Sequence, residues 1–224
     1  MEVKFHIYKM INKIKLEQLS AILDVLKLAE KLKFELRHSW LSNGRQESVA
    51  EHTWRMSLMA VLIEPLLEQK VDLAHLLKMI IIHDLVEAEA GDVSVLDQIR
   101  NPEIKKIKQQ NEEKAILRIR ELLTASNGQE IYDLFYEFEE KKTFEAKVAN
   151  AIDKLEVQLQ HNHADISTWE EIEYDLSFVI GKHVQFDQTF VMLKDLIEKQ
   201  ASQKLEGAGL NVSEIRNRAI ATFS

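Results

Sequence analysis

Residues 76–92 constrain this chain more than any other stretch. They read Leu76-Leu77-Lys78-Met79-Ile80-Ile81-Ile82-His83-Asp84-Leu85-Val86-Glu87-Ala88-Glu89-Ala90-Gly91-Asp92. An apolar run leads into an adjacent His-Asp pair, then into further carboxylates and a glycine. So many apolar residues require a buried element, and buried charge is expensive unless it is paired or bound to a metal. Asp84 and Glu87 therefore need a counter-charge, and a bound cation is a good one. The periodicity predicts a helix with Asp72 as its N-cap, apolar residues Leu73, Leu76, Leu77 and Ile80, and Gly91 as its stop. On such a helix His83 and Glu87 share a face, as do Asp84 and Glu87. A short strand over residues 79–82 is the alternative that the β-branched residues allow. The long helical pattern on either side argues against it.

The rest of the chain supports a helical frame. Its 224 residues hold 6 Gly and 2 Pro, too little turn material for a β-sandwich or barrel of this length. With no cysteine there is no disulfide framework and no thiolate metal site, so any metal must be held by His, Asp and Glu. A net charge of -8 argues against a general nucleic-acid surface, though a small anionic substrate on a few local arginines fits. No signal peptide and no apolar run of about 18 residues is evident, so a cytoplasmic protein without a membrane span is expected.

Residues 1–12 are expected to fray or add a turn. Leu16, Leu19, Leu23, Leu26, Leu28 and Leu32 predict a first core helix over residues 15–36. Residues 37–47 are expected as a loop turning at Asn43-Gly44 and carrying Arg37, Trp40 and Arg45. Ser48 and Glu51 have capping-box spacing, and the helix they open aligns His52 with Met56, Met59, Ala60 and Ile63. A lone inward histidine is more often a hydrogen-bonded core residue than a ligand. Pro65 is expected to bend the end of that helix. Residues 93–100 read as a short connection. Asn101-Pro102-Glu103 then opens a helix to about residue 123, with residues 105–108 as a solvated basic face. Asn127-Gly128 is expected to separate it from a helix over residues 130–140.

Residues 143–160 form a further predicted helix. It lines up Ala146, Ala149, Asn150, Asp153 and Val157 on one face, and the small residues place Asp153 in a tight interior. A salt-bridged or capping aspartate is as consistent with that position as a ligand. His161-Asn162-His163 is expected as a surface loop. Ser167 and Glu170 predict a capped helix to about residue 181, residues 186–205 another, and Gly207-Ala208-Gly209 a linker to a short final helix.

Four inward groups on three predicted helices then stand out: His52, His83, Asp84 and Asp153. Two imidazoles and two carboxylates suit one divalent transition metal (Mn, Co, Ni, Fe or Zn) and leave positions for water and substrate. The pattern His52 … His83-Asp84 … Asp153 resembles the HD-domain metal-dependent phosphohydrolases. Glu51-His52-Thr53, His83-Asp84-Leu85-Val86-Glu87, Gly91-Asp92 and Asp153-Lys154-Leu155-Glu156 are similar to its 5'-deoxynucleotidase branch, over residues 37–160. A bare His-Asp pair carries no weight, whereas four ligands in order with Glu87 and Asp92 are specific.

The resemblance implies an all-α, single HD-domain helical bundle over residues 1–224, with a core at about 37–160 and additional C-terminal helices, 165–224, packed on it. It implies His52, His83, Asp84 and Asp153 as metal ligands and Glu87 and Asp92 as catalytic residues near the water and substrate. Arg37 is the implied phosphate contact. Trp40 and Arg45 are further substrate-binding candidates, Trp40 shaping a base or sugar pocket or simply packing, and Arg45 ordering the loop against Glu47. The implied reaction is removal of the 5'-phosphate from deoxyribonucleoside 5'-monophosphates by metal-activated water, in a homodimer. Another HD phosphohydrolase activity, or a regulatory module that keeps a metal without catalysis, is the alternative. Two departures bear on the substrate: His38 stands where a more apolar neighbour of Arg37 is expected, and residues beyond 160 carry no familiar motif.

Overall fold

The computed structural model describes residues 2–123 and 125–223, so Met1, at the head of the segment expected to fray, lies outside them. The architecture is all-α with a small hairpin added. Helix α1 spans Glu2–Ala29 and runs into a 3-10 turn, Glu30–Lys33. It begins well before residue 15, and its role differs from the expected one. Val25 and Leu32 are buried, but Leu16, Leu19, Leu23 and Leu26 are each more than half exposed. Only one side of the C-terminal part of α1 meets the body, so the leucine stripe is a surface and not a core.

The segment expected as a loop folds into an antiparallel hairpin, β1 (Leu36–Trp40) and β2 (Gln46–Ser48). Gly44 turns it with φ 85°, and the Leu41 amide donates to the Arg45 carbonyl at 2.8 Å. The Ser48–Glu51 capping box is present and opens α2, Val49–Ile63. His52, Met56, Met59, Ala60 and Ile63 are buried, as the periodicity predicts. Pro65 sits in the 3-10 turn Glu64–Leu66 that ends this helix.

Helix α3, Leu73–His83, starts at Asp72, whose carboxylate accepts from the His75 amide at 3.1 Å. It does not run on to Gly91. Asp84 leaves the helical region (φ -99°, ψ 7°), and the Leu85 and Glu87 amides reach back three residues, to Ile82 and Asp84, each at 3.0 Å. This tight turn re-aims the Asp84 carboxylate before the short α4, Glu87–Ala90. Gly91 stops α4 with φ 77°.

Residues expected as a plain connection contain α5, Val95–Arg100, capped by Ser94. Helix α6, Pro102–Leu122, has its Asn101 cap as predicted. Helix α7 spans Ala125–Glu140, so Asn127 and Gly128 lie inside it and not between helices. A Cβ on Gly128 would overlap the Arg120 carbonyl oxygen, so this glycine allows α7 to approach the α6 backbone. Helix α8, Phe144–His163, is capped by Thr143 and continues through the histidines expected in a surface loop. Asn162 anchors that last turn by donating to the Ile197 carbonyl at 2.9 Å. A 3-10 turn (Ile166–Thr168), α9 (Glu171–Leu176) and a second 3-10 turn (Ile180–His183) replace the single helix expected over residues 167–181. Asp165 and Glu170 supply the caps there, not Ser167. Helices α10 (Gln188–Gly207, capped by Asp187) and α11 (Val212–Phe223) complete the described chain.

Met56, Met79, Ile80, Ile152, Leu155 and Phe190 join α2, α3, α8 and α10 in the main core. Trp169, Ala201, Leu205 and Ile215 form a smaller core among the C-terminal helices. Ala146 and Ala149 let neighbouring helices close on α8 and put Asp153 inside the bundle. No helix among the described residues is long and apolar enough to cross a membrane.

Candidate metal centre

His52 projects from α2, His83 ends α3, and Asp84 occupies the turn that follows. A donor atom of each lies within 4.8 Å of the others. Both histidines are buried, and each commits its Nδ1 to the protein. His52 Nδ1 lies 2.5 Å from Glu156 Oε2, and His83 Nδ1 lies 2.7 Å from the Ile80 carbonyl. In the neutral ring such bonds place the proton on Nδ1 and turn the lone pair of Nε2 toward the pocket. Both Nε2 atoms are buried without a hydrogen-bond partner among the described residues. They flank one carboxylate oxygen, Asp84 Oδ2, at 3.9 Å from His52 and 3.1 Å from His83. An unsatisfied buried polar group costs about 1–3 kcal/mol, so two beside one carboxylate call for a shared partner.

Asp153, from α8, brings Oδ1 to 3.4 Å from His52 Nε2, while Lys154 holds its other oxygen at 2.8 Å. Burial and Arg37 disfavour a charged His52, yet Glu156 and Asp153 outweigh them and carry its pKa up to about 9. Burial likewise opposes ionisation of Asp84 and Asp153. His83 and Arg37 nevertheless hold Asp84 well below the usual carboxylate range, and Lys154 and His52 do the same for Asp153. The three donors of His52, His83 and Asp84 thus lie in a pocket that favours positive charge, and Asp153 approaches it through His52. Two imidazole nitrogens and two carboxylates fit a divalent transition ion.

Three further expected residues border this cluster. Arg37, on β1, donates from Nη1 to Asp84 Oδ2 at 3.4 Å. Burial works against its charge, but Asp84 and Asp92 overcome it and keep the guanidinium protonated. Burial, Asp84 and Asp92 push the Glu87 carboxyl well above its ordinary value, and its Oε2 has no hydrogen-bond partner among the described residues. Burial and Asp84 also raise Asp92, against the pull of Arg37. Asp92 is placed by its own amide, which donates to Glu35 Oε1 at 3.1 Å.

The other two candidates make their contacts elsewhere. Arg45 sits on the exposed hairpin turn and donates to Glu51 Oε2 at 2.9 Å, so its carboxylate partner there is Glu51. Trp40 lines a cleft with His38, His161 and Trp169. His161 is half-buried there, with Nδ1 3.4 Å from Glu173 Oε1 and Nε2 3.4 Å from Ser39 Oγ.

Sequence reasoning missed three charged neighbours. Lys108, read as part of a solvated face, reaches Glu87 Oε1 at 3.9 Å and pairs with Glu112. Only the packing of α4 on α6 reveals this. Glu156 carries a legible signal, since it follows Asp153 by three residues on a helix with a buried face. Glu47 had none beyond its place before the cap.

A model of the HD domain family matches residues 29–193. The 5'-deoxynucleotidase HDDC2 of Dictyostelium discoideum is 35% identical over 149 residues, which cover 63% of this chain and 76% of that protein. The protein of the same name from Homo sapiens is 30% identical over 156 residues, covering 69% and 71%. Among solved structures, a predicted metal-dependent phosphohydrolase from Magnetospirillum magnetotacticum MS-1 superposes with a TM-score of 0.70 at 25% identity, covering 87% of this chain and 98% of that one. The matched span holds Arg37, both buried histidines, Asp84 and Asp153, and on it the chain belongs to the HD-domain family.

Proposed function

We propose that this chain is a divalent-metal-dependent phosphohydrolase that removes the 5'-phosphate from deoxyribonucleoside 5'-monophosphates. The observation that carries this reading is the pair of Nε2 atoms on His52 and His83 beside Asp84, without hydrogen-bond partners among the described residues, with the Arg37 guanidinium 3.4 Å from that carboxylate. The relatives called 5'-deoxynucleotidase and the structural neighbour described as a metal-dependent phosphohydrolase support the substrate and the class. A regulatory module holding a metal without catalysis would not need Arg37, Glu87 and Asp92 around it.

In this reading His52, His83, Asp84 and Asp153 hold one divalent ion (Mn, Co, Ni, Fe or Zn). When bound, the ion supplies Lewis-acid chemistry, acidifying water and neutralising charge on a phosphoryl oxygen. Arg37 takes two phosphate oxygens with its planar fork and offsets the charge that builds on them. The water oxygen bonds to phosphorus as the bond to the 5'-oxygen breaks. Glu87 accepts the proton from the water and returns it to the leaving 5'-oxygen, giving nucleoside and inorganic phosphate. Asp92 positions the water or the sugar. Trp40 and Arg45 are outer contacts, Trp40 shaping the base or sugar side and Arg45 ordering the hairpin through Glu51.

Residues 1–224 form one domain in this reading, the C-terminal helices lying on the HD core, which the places of Phe190 and Ile197 in the main core support. Two copies pair as a homodimer, supported by the exposed leucine stripe of α1. The test is phosphate release from ribo- and deoxyribonucleoside 5'-monophosphates, 3'-monophosphates and cyclic nucleotides, by protein stripped with chelator and replenished with one metal at a time. Release from the 5'-deoxy substrates alone, restored by a transition metal, is expected. Release from 3'-phosphates or ribonucleotides at equal rates contradicts the substrate assignment.

A further inference from the structure

A chain of alternating charges runs from one side of the metal centre to the other. His52 Nδ1 lies 2.5 Å from Glu156 Oε2, and Arg55 Nε donates to Glu156 Oε1 at 2.5 Å. Arg55 Nη2 lies 4.0 Å from Glu47 Oε1, and Arg37 Nε lies 3.6 Å from Glu47 Oε2. Arg37 Nη1 then reaches Asp84. The links come from β1, β2, α2, α8 and the turn after α3, so each successive pair joins two different elements, and only His52 and Arg55, on either side of Glu156, share one. Those two lie three residues apart on one face of α2.

The His52–Glu156–Arg55 end is tight, and the contacts that run on through Glu47 to Arg37 and Asp84 are looser. Arg37 Nε, Glu47 Oε2 and Arg55 Nη2 are buried without hydrogen-bond partners among the described residues, and all three meet at one joint. An ion-pair cluster serving stability alone would close such contacts, because each open one costs about 1–3 kcal/mol. The Glu47, His52 and Glu156 donors also lie close enough together to hold a cation. Two guanidinium groups already face those carboxylates, however, and the His52 nitrogen on that side is hydrogen-bonded. The cluster therefore serves the metal centre and is not a second one.

We propose that Glu47, Arg55 and Glu156 are positioning residues that couple the phosphate-facing Arg37 to the metal-facing His52. Glu156 fixes the His52 ring so that Nε2 faces the ion. Glu47 holds the guanidinium of Arg37 where a phosphate would meet it. Arg55, which touches neither subsite, sets the separation of the two carboxylates. The proposal rests on the functional reading above, through the roles of His52 and Arg37.

The test uses the full chain carrying Arg55→Met, Arg55→Lys or Glu47→Gln, each checked for wild-type circular dichroism. Mn2+ affinity of chelator-stripped protein is measured by calorimetry. KM and kcat for deoxyadenosine 5'-monophosphate are measured at saturating Mn2+. Loss of such an outer partner typically weakens metal binding by about 10–100-fold. Arg55→Met is therefore expected to weaken Mn2+ binding at least 10-fold and to raise KM several-fold with a smaller change in kcat. Arg55→Lys should recover part of both, since lysine keeps the charge but cannot span two carboxylates. Glu47→Gln should raise KM while leaving Mn2+ affinity within about 2-fold. A folded Arg55→Met with wild-type Mn2+ affinity and KM overturns the proposal. If that variant fails to fold, Arg55→Lys decides in its place by moving both constants or neither. Wild-type protein that binds Mn2+ but releases no phosphate would contradict the functional reading instead, and the Mn2+ affinities of the Arg55 variants would still decide the relay.

Discussion

His52 and His83 face one another with ring centroids 5.8 Å apart, and each gives its Nδ1 to the protein while its Nε2 stays open. The two helices that carry them pack directly together, so the rings are set by core packing before any ligand arrives. Asp84 lies beside both Nε2 atoms and completes the proposed ligand cluster. Asp84→Ala should therefore lose metal and activity together. Elemental analysis after dialysis should find little bound metal, and full metal occupancy in this variant would remove Asp84 from the ligand set.

Glu87 is buried beside the centre, and one of its oxygens has no hydrogen-bond partner among the described residues. Its replacement should separate chemistry from binding. Glu87→Ala should retain fold and metal content and lower kcat by about 10²–10⁴-fold, the range for a general acid or base. Hydrolysis at the wild-type rate would show that Glu87 has no part in proton transfer.

The cleft around Glu173 holds two histidines that should titrate in opposite directions. The Glu173 carboxylate, 3.3 Å from His38 Nε2, raises the His38 pKa above 6.5, while burial lowers that of His161 below 6.5. The stabilisation from His38 is fully present below pH 6.5 and is lost as pH rises through its folded pKa. That from His161 is present above pH 6.5 and is lost as pH falls toward its folded pKa. Imidazole NMR shifts at pH 6.5 should show His38 mainly protonated and His161 mainly neutral. Equal protonation of the two rings at that pH would refute the assignment.

Gly128 permits a close helix contact. Gly128→Ala should destabilise the protein by about 1–3 kcal/mol, as overpacking does, and lower Tm by roughly 2–4 °C per kcal/mol in a chain of this size. A simple gain in helix propensity would instead raise Tm, so the sign of the shift in a thermal melt decides.

The α1 stripe supports the proposed homodimer. Leu19→Glu combined with Leu23→Glu should shift sedimentation from dimer to monomer and leave the core intact, because both residues are more than half exposed. A wild-type protein that sediments only as monomer at micromolar concentration would rule the dimer out.

Much of this site was legible in the sequence because its residues ride on regular elements. His52 falls in line with Met56 and Met59 behind a capping box, and Asp153 sits on a face of small residues. The break at Asp84 was not legible, since local propensity favours continuing the helix and only three-residue backbone bonds reveal the turn. The leucines of α1 obey helical periodicity equally well whether they meet a core or solvent, so their exposure was hidden. Asn127-Gly128 has a turn's composition, but a close neighbouring backbone explains the glycine instead. Lys108 and Glu47 come to the site through tertiary packing and leave no local pattern. The sequence alone points to a loop at His161 because no cap or breaker marks the true end of α8.

The most direct measurement is a titration of chelator-stripped protein with Mn2+, following bound metal and phosphate release from deoxyadenosine 5'-monophosphate in the same samples. One metal centre built from His52, His83, Asp84 and Asp153 predicts that both signals rise together and level off at one equivalent per chain. Phosphate release at full rate before any metal is added, or one bound equivalent with no release, would contradict the account.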